Sequence, residues 1–166
     1  MSLLIDLQPS AGPALVVGGG RIALRKIRNL LDGGFRVTVV APEVCAELRG
    51  LPGLAIEQRP FEDADIERGE RWALVFACTN ARAVNRRIGE LARSRGILAV
   101  VTDAREESTF FTPATARNGG VTVAISTGGA SPAQAKALRD RVVAALGEDW
   151  GSNLEPADAA GNEGDA

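Results

Sequence analysis

Three consecutive glycines, Gly18-Gly19-Gly20, stand between a short apolar run, Ala14-Leu-Val-Val17, and a segment of helical periodicity that begins at Arg21. Gly18 and Gly20 take the first two positions of a G-x-G-x-x-G/A pattern, and Ala23 takes the third. This spacing lets a chain turn sharply out of a strand, bring its backbone against a pyrophosphate, and pack helix on strand. Backbone N–H groups at the first helical residues, Arg21 and Ile22, then face the anion together with the positive end of the helix dipole. The chemistry predicted is the cradling of a nucleotide phosphate.

Other reactive or polar residues fall where apolar runs end. Phe35-Arg-Val-Thr-Val-Val40 delivers Ala41-Pro42-Glu43. An acid close to the end of the second strand of a dinucleotide-binding unit commonly holds the ribose hydroxyls. Glu43 lies about two residues late for that role, and it also reads as an ordinary acid at a helix start. Its charge would repel a 2′-phosphate, and no arginine directly follows the strand, so NAD is favoured over NADP. Trp72-Ala-Leu-Val-Phe-Ala77 delivers Cys78-Thr79-Asn80. Thr79 and Asn80 are candidate dinucleotide contacts, and Asn80 is also a candidate cap for the next helix. Gly96-Ile-Leu-Ala-Val-Val101 delivers Thr102-Asp103, which places a carboxylate beside the same crevice. A second glycine turn, Ser126-Thr-Gly-Gly-Ala-Ser-Pro132, offers hydroxyls and a helix start with Ser131 as N-cap and Pro132 at the first position.

The elements that must position these residues alternate strand and helix. Ile22, Ala23, Ile27, Leu30 and Leu31 recur near helical spacing before Gly33-Gly34 ends the helix, and Val84, Ile88, Leu91 and Ala92 do the same over 81–95. A short helix suits 43–49, a weak third strand suits 54–57, and 62–70 reads as an acidic helix or loop. Val121-Thr-Val-Ala-Ile125 reads as a sixth strand, and residues 3–7 as an edge strand or arm. The fold class predicted is α/β: a Rossmann-like, doubly wound, mainly parallel sheet of about six strands, followed by a short helical C-terminal segment. The domain reading is 1–130 for the NAD-binding domain, 131–147 for the C-terminal helix, and 148–166 for a disordered acidic tail.

Composition narrows the function classes. The chain has 166 residues, a net charge of −2 and no histidine. A Ser-His-Asp triad, His-ligated zinc and a histidine base are therefore excluded, and no metal site is expected. Residues 148–166 carry six acids and no base, which leaves the remainder at +4. Only Lys26 and Lys136 are lysines, so almost all cations are arginines suited to carboxylates and phosphates, although a genomic bias toward G and C explains them equally well. They are scattered and lack an aromatic platform, so nucleic acid is not an expected partner. Cys45 and Cys78 are too far apart for C-x-x-C and read as free thiols. No segment has the length and apolarity of a membrane span or a signal peptide, so no membrane partner is expected and a cytoplasmic location is the default.

Four blocks together resemble the precorrin-2 dehydrogenase and sirohydrochlorin ferrochelatase family, the NAD-binding module of siroheme synthesis. They are Val16-Val-Gly-Gly-Gly-Arg-Ile-Ala-Leu-Arg-Lys-Ile-Arg-Asn-Leu-Leu31; Val37-Thr-Val-Val-Ala-Pro-Glu43; Ala77-Cys-Thr-Asn80 with Asn85; and Asp103 through Phe110-Phe-Thr-Pro113 to Ser126-Thr-Gly-Gly-Ala-Ser-Pro132. The resemblance covers residues 1–146. It implies oxidation of the tetrapyrrole precorrin-2 to sirohydrochlorin with NAD as cofactor, and in some members ferrous iron insertion at the same site. It implies Asp103 as the catalytic carboxylate, and a cofactor site of Gly18, Gly20, Arg21, Ile22, Pro42, Glu43, Thr79 and Asn80. For the substrate it points to Ser126, Thr127 and Gly128, with Arg105 and Arg117 assigned from position. Two departures accompany it. Val100 stands where many members have an asparagine, and an acidic tail follows the last helix where members continue into a helical region that supports a homodimer. A non-catalytic NAD-binding or sensing module acting with a partner is the second reading.

Overall fold

The computed structural model describes residues 3–67 and 71–152, which fall into two compact units, 3–111 and 112 onward. The expected division at 130/131 lies inside the second unit.

Five four-residue strands form the first unit's sheet: β1 (Ala14–Val17), β2 (Val37–Val40), β3 (Leu54–Glu57), β4 (Leu74–Ala77) and β5 (Leu98–Val101). They are all parallel, in the order β3-β2-β1-β4-β5. The helices of this unit are α1 (Arg21–Asp32), α2 (Ala46–Arg49), α3 (Ala64–Glu67) and α4 (Arg82–Ser94). β1 and β4 are apolar without interruption because both faces of the sheet are covered there. Val16, Val39, Phe76 and Val100 pack with Ala23, Ile27 and Leu30 of α1. Leu15, Val17, Val75, Ala77 and Val101 pack with Ile88, Leu91 and Ala92 of α4 and Ile66 of α3. Each fully buried aliphatic side chain stabilises this arrangement by roughly 1.5–3 kcal/mol.

Helix α1 buries Ala23, Leu24, Ile27 and Leu30. Ile22, expected on this face, is 52% exposed. At 100° per residue it falls about a quarter turn outside the arc that these four side chains define, so it stands at the helix start and faces solvent. Gly34, at φ 78°, turns the chain from α1 toward β2.

The expected sixth strand does form, but outside this sheet. Beside β5, its place is taken by two hydroxyl residues. The Ala99 N–H donates to Thr109 Oγ1 at 2.8 Å, and the Thr109 N–H donates to the Ala99 carbonyl at 2.8 Å. The Val101 N–H donates to Ser108 Oγ at 2.9 Å. The outer edge of β5 is therefore satisfied by side chains and a turn of backbone instead of a neighbouring strand.

In the second unit, β6 (Ala114–Asn118) and β7 (Val121–Ile125) make an antiparallel hairpin across Gly119-Gly120. Such a two-residue turn favours glycine, and Gly119 has φ 53°. Helix α5 (Pro132–Leu146) packs on the hairpin, with Arg139 Nη1 donating to the Thr115 carbonyl at 2.7 Å. Of the stretch expected to be a disordered tail, residues 148–152 form a turn. Asn118 Nδ2 donates to the Glu148 carbonyl at 2.7 Å, and Gly119 meets Gly151 so closely that a Cβ would lie 2.3 Å from its oxygen. Residues 153–166, the rest of that expectation, lie outside the described residues, as do 68–70 of the acidic stretch. Residues 3–7 form no regular element. Among the described residues no helix is long and apolar enough to cross a membrane.

Candidate functional site

The strands leave the sheet at a common level. One residue past the strand ends the ladder continues: Gly18 N–H to the Val40 carbonyl at 3.0 Å, Cys78 N–H to Val17 at 2.8 Å, Thr102 N–H to Ala77 at 3.1 Å, and Ala41 N–H to Glu57 at 3.1 Å. The glycine loop, Pro42-Glu43, Thr79-Asn80 and Asp103 therefore share one carboxyl edge. The chain connects β1 toward β2 on one side and crosses back to β4 on the other, and this reversal of strand order is where open α/β sheets form a ligand crevice.

The three glycines do three different things. Gly18, at φ 121°, lies so close to β4 that a Cβ would sit 2.4 Å from the Cys78 carbonyl oxygen. Gly19 is pressed against the turn after β2, where a Cβ would be 2.1 Å from the Glu43 oxygen, and its own carbonyl accepts the Cys45 N–H at 2.8 Å. At Gly20 a Cβ would meet nothing within 4 Å. The loop is pinned on both flanks and open in front. Gly20 is also the N-cap of α1, where no side chain caps the helix and no acid lies in the first turn. Instead Arg21 occupies the first turn and Arg25 the next. Two cations at the positive end of a bare helix are unfavourable, whereas a bound anion reverses the sign of both terms. These residues fit a dinucleotide pyrophosphate.

The turn after β4 is held by a buried amide. Asn85, 0% exposed, accepts the Thr79 N–H at 3.1 Å and the Thr79 hydroxyl at 2.7 Å, while its Nδ2 donates to the Thr79 carbonyl at 2.9 Å. Thr79 Oγ1 accepts the Ala81 N–H at 3.1 Å and so tightens the turn, while α4 begins at Ala81 as N-cap with no side-chain cap, so the cap expected of Asn80 does not form. Asn80 is exposed at the crevice edge. Beneath the loop, burial pushes the Cys78 thiol up to about 12, and burial together with Arg25 holds Lys26 below its ordinary value. Cys78 is therefore a protonated packing group at neutral pH. On the β5 side, Arg82 lies 3.9 Å from the Asp103 carboxylate and also pairs with Glu107.

A family model described as "Putative NAD(P)-binding" matches residues 5–114. The chain belongs to this NAD(P)-binding family. A second model, described as "Sirohaem biosynthesis protein central", matches residues 118–145. The siroheme synthase of Thioalkalivibrio sulfidiphilus is 44% identical over 131 residues, 77% of this chain and 26% of that protein. The siroheme synthase of Methylococcus capsulatus is 38% identical over 143 residues, 84% of this chain and 30% of that protein. The chain thus spans about 26–30% of the length of these curated relatives. Among solved structures, SirC, a precorrin-2 dehydrogenase, matches with a TM-score of 0.67 at 29% identity, covering 87% of this chain and 70% of that one.

For an NAD(P)-binding chain, the sheet edge gathers Gly18, Gly20, Arg21, Ile22, Pro42, Glu43, Thr79, Asn80 and Asp103. Arg105 lies on the 3-10 turn after β5, with its guanidinium 5.2 Å from the Phe111 ring centroid. Arg117 is on β6, and Ser126, Thr127 and Gly128 lead from β7 to α5. In that second turn Thr127 Oγ1 accepts the Ser131 N–H at 3.0 Å, and Ser131 Oγ caps α5 by accepting the Gln134 N–H at 3.2 Å. Among the described residues no group of three or more His, Cys, Asp or Glu could hold a metal ion.

Sequence reasoning gave Asn85 no role of its own. The available signal was a polar residue at a buried position of an amphipathic helix, six residues after the strand exit. Asn85→Ala leaves the Thr79 N–H and carbonyl without their partner in a half-buried turn. We expect it to lower unfolding free energy by about 2–4 kcal/mol in denaturant titration and to weaken dinucleotide binding.

Proposed function

We propose that this chain is the NAD-dependent module that oxidises precorrin-2 to sirohydrochlorin, acting in the cytoplasm. The observation that carries the reading is the shared sheet edge: an open, uncapped glycine loop at β1 and a carboxylate two strands away at β5. With strands about 4.8 Å apart, Asp103 lies roughly 10 Å along the crevice from the loop. That distance supports a role for Asp103 at the redox end of a dinucleotide, away from the phosphates. The names of the similar proteins and the match to the sirohaem model support the tetrapyrrole as substrate.

The oxidation removes a hydride and a proton from precorrin-2, and bound NAD supplies the hydride acceptor. Of the chain's own groups, the backbone N–H donors at the start of α1 would hold the pyrophosphate, and Pro42 and Glu43 would lie toward the ribose. Thr79 and Asn80 would line the dinucleotide's side of the crevice. The Asp103 carboxylate takes the proton, and Arg82 beside it steadies the negative charge. Positioning supplies most of the acceleration in such a step, so one carboxylate without a histidine is sufficient. Arg105 of the first unit and, separately, Arg117, Ser126, Thr127 and Gly128 of the second are the proposed partners for carboxylates of the ring. The working form in this reading is a homodimer, for which the exposed Leu138, Val142 and Leu146 give an apolar stripe along α5.

Incubation of the protein with precorrin-2 and NAD⁺ tests this directly. The expected result is stoichiometric formation of NADH and sirohydrochlorin absorbance. NAD binding in calorimetry with neither product formed would overturn the catalytic reading and leave a binding module.

A further inference from the structure

Arg59 stands near the end of the crevice that would hold the adenosine ribose, and it is already engaged. Arg59 follows β3 by two residues. Its Nη1 donates to Asp65 Oδ2 at 3.0 Å while Nη2 donates to Oδ1, a two-pronged grip on one carboxylate. Nη2 also donates to Glu57, and Nη1 to the Pro60 carbonyl at 3.1 Å. Asp65 is held in turn: its Oδ2 accepts the Glu62 N–H at 2.9 Å, and its backbone carbonyl accepts the Trp72 indole N–H at 2.8 Å. The Asp65 side chain is only 10% exposed, so the grip is part of the fold. Glu57 is the looser partner, with its side chain 48% exposed.

This cluster sits beside the turn after β2. The Glu57 carbonyl accepts the Ala41 N–H at 3.1 Å, and Gln58 Nε2 reaches the Pro42 carbonyl at 3.5 Å. A dinucleotide's 2′ position belongs at the end of the second strand, next to these residues. Two carboxylates on one guanidinium leave the cluster at −1, and Glu43 adds a further negative charge on the β2 side. A 2′-phosphate arriving here would meet net negative charge and a guanidinium whose donors point elsewhere.

We propose that Glu57 and Asp65 make the site selective for a dinucleotide with a free 2′-hydroxyl by holding Arg59 away from the position where a 2′-phosphate would bind. Arg59 is a latent phosphate ligand: Asp65 fixes its guanidinium, and Glu57 occupies the Nη2 donor that a phosphate would take. This inference rests on the NAD reading above and assigns its specificity to residues outside the glycine loop.

Calorimetry of the full chain with NAD⁺ and NADP⁺ tests it without requiring turnover. The parent protein is expected to bind NAD⁺ at least about 10-fold more tightly than NADP⁺, an advantage that shrinks with added salt. Glu57→Gln, at an exposed position, is expected to melt like the parent, to leave NAD⁺ affinity within about twofold, and to tighten NADP⁺ about fivefold, the scale of one charge–charge interaction near a surface. In Glu57→Gln/Arg59→Ala that gain is expected to vanish. An unchanged NADP⁺ affinity in folded Glu57→Gln overturns the proposal while leaving the NAD reading intact. So does a gain that persists without Arg59, because bulk charge then explains it. A parent protein that binds neither dinucleotide overturns both.

Discussion

Alanine at Gly18 is expected to cost about 3 kcal/mol of stability, whereas alanine at Gly20 leaves stability unchanged and costs only ligand affinity. The two positions differ by what a Cβ would meet. At Gly18 the φ of 121° and an oxygen of Cys78 at 2.4 Å combine backbone strain with a clash against another strand's main chain, which cannot swing aside as a side chain could. For a chain of this length the loss corresponds to a fall in melting temperature of about 6–12 °C. At Gly20 the backbone is extended and the Cβ position is free of protein, so Gly20→Ala should melt within about 2 °C of the parent. Its methyl group would occupy the front of the loop, where the proposed site would hold a pyrophosphate, and NAD affinity should fall about 10-fold or more, equivalent to 1.4 kcal/mol or above. Differential scanning fluorimetry and calorimetry on the two proteins provide the check. Parent-like NAD binding by Gly20→Ala would remove the phosphates from the open side of the loop, and parent-like melting of Gly18→Ala would contradict the close packing on β4.

Asp103→Asn is expected to reduce kcat for precorrin-2 oxidation by at least about 100-fold, the lower end of what a positioned acid or base contributes. Its KM for NAD⁺ should change by less than about twofold, because the carboxylate lies two strands from the glycine loop. The side chain is 35% exposed and its ion pair with Arg82 is long, at 3.9 Å, so stability should be nearly unaffected. Steady-state rates with separately varied precorrin-2 and NAD⁺ separate the two effects. Turnover at the parent rate would exclude Asp103 as the proton acceptor. Loss of NAD⁺ affinity instead would recast Asp103 as a dinucleotide contact.

Much of the first unit was legible because its signals are local. Continuous apolar runs such as Leu74–Ala77 leave few alternatives to buried parallel strands, and three glycines after a strand leave few alternatives to a phosphate loop. The number of strands in the sheet was not legible for a physical reason. Val121, Val123 and Ile125 alternate in a hairpin much as they would at a sheet edge, and only the hydroxyls of Ser108 and Thr109 decide that β5 has no further neighbour. Those hydroxyls sit in a stretch that sequence pattern reads only as charged and aromatic. The same limit applies at the site. The backbone placed Pro42, Glu43, Thr79 and Asp103 on one edge from strand endings alone, but pairings between elements, such as Asn85 with Thr79 or Arg59 with Asp65, depend on side-chain reach across a turn. Ile22 shows a smaller version of the problem: a hydrophobic residue at near-helical spacing was placed on the core face, although one residue of register sets it outside.

The hydroxyl-bonded margin of β5 also determines how this protein can meet other chains. A free strand edge invites pairing with any extended peptide, including a neighbour's identical strand, and such pairing is a common route to aggregation. Here the donors at Ala99 and Val101 are already occupied, and the opposite margin, β3, offers only four residues. Assembly by strand exchange is thereby discouraged on one side and brief on the other, so a stable complex has to form through helix and hairpin surfaces. Substituting valine at Thr109 would leave the Ala99 N–H without its partner and open that part of the margin to pairing.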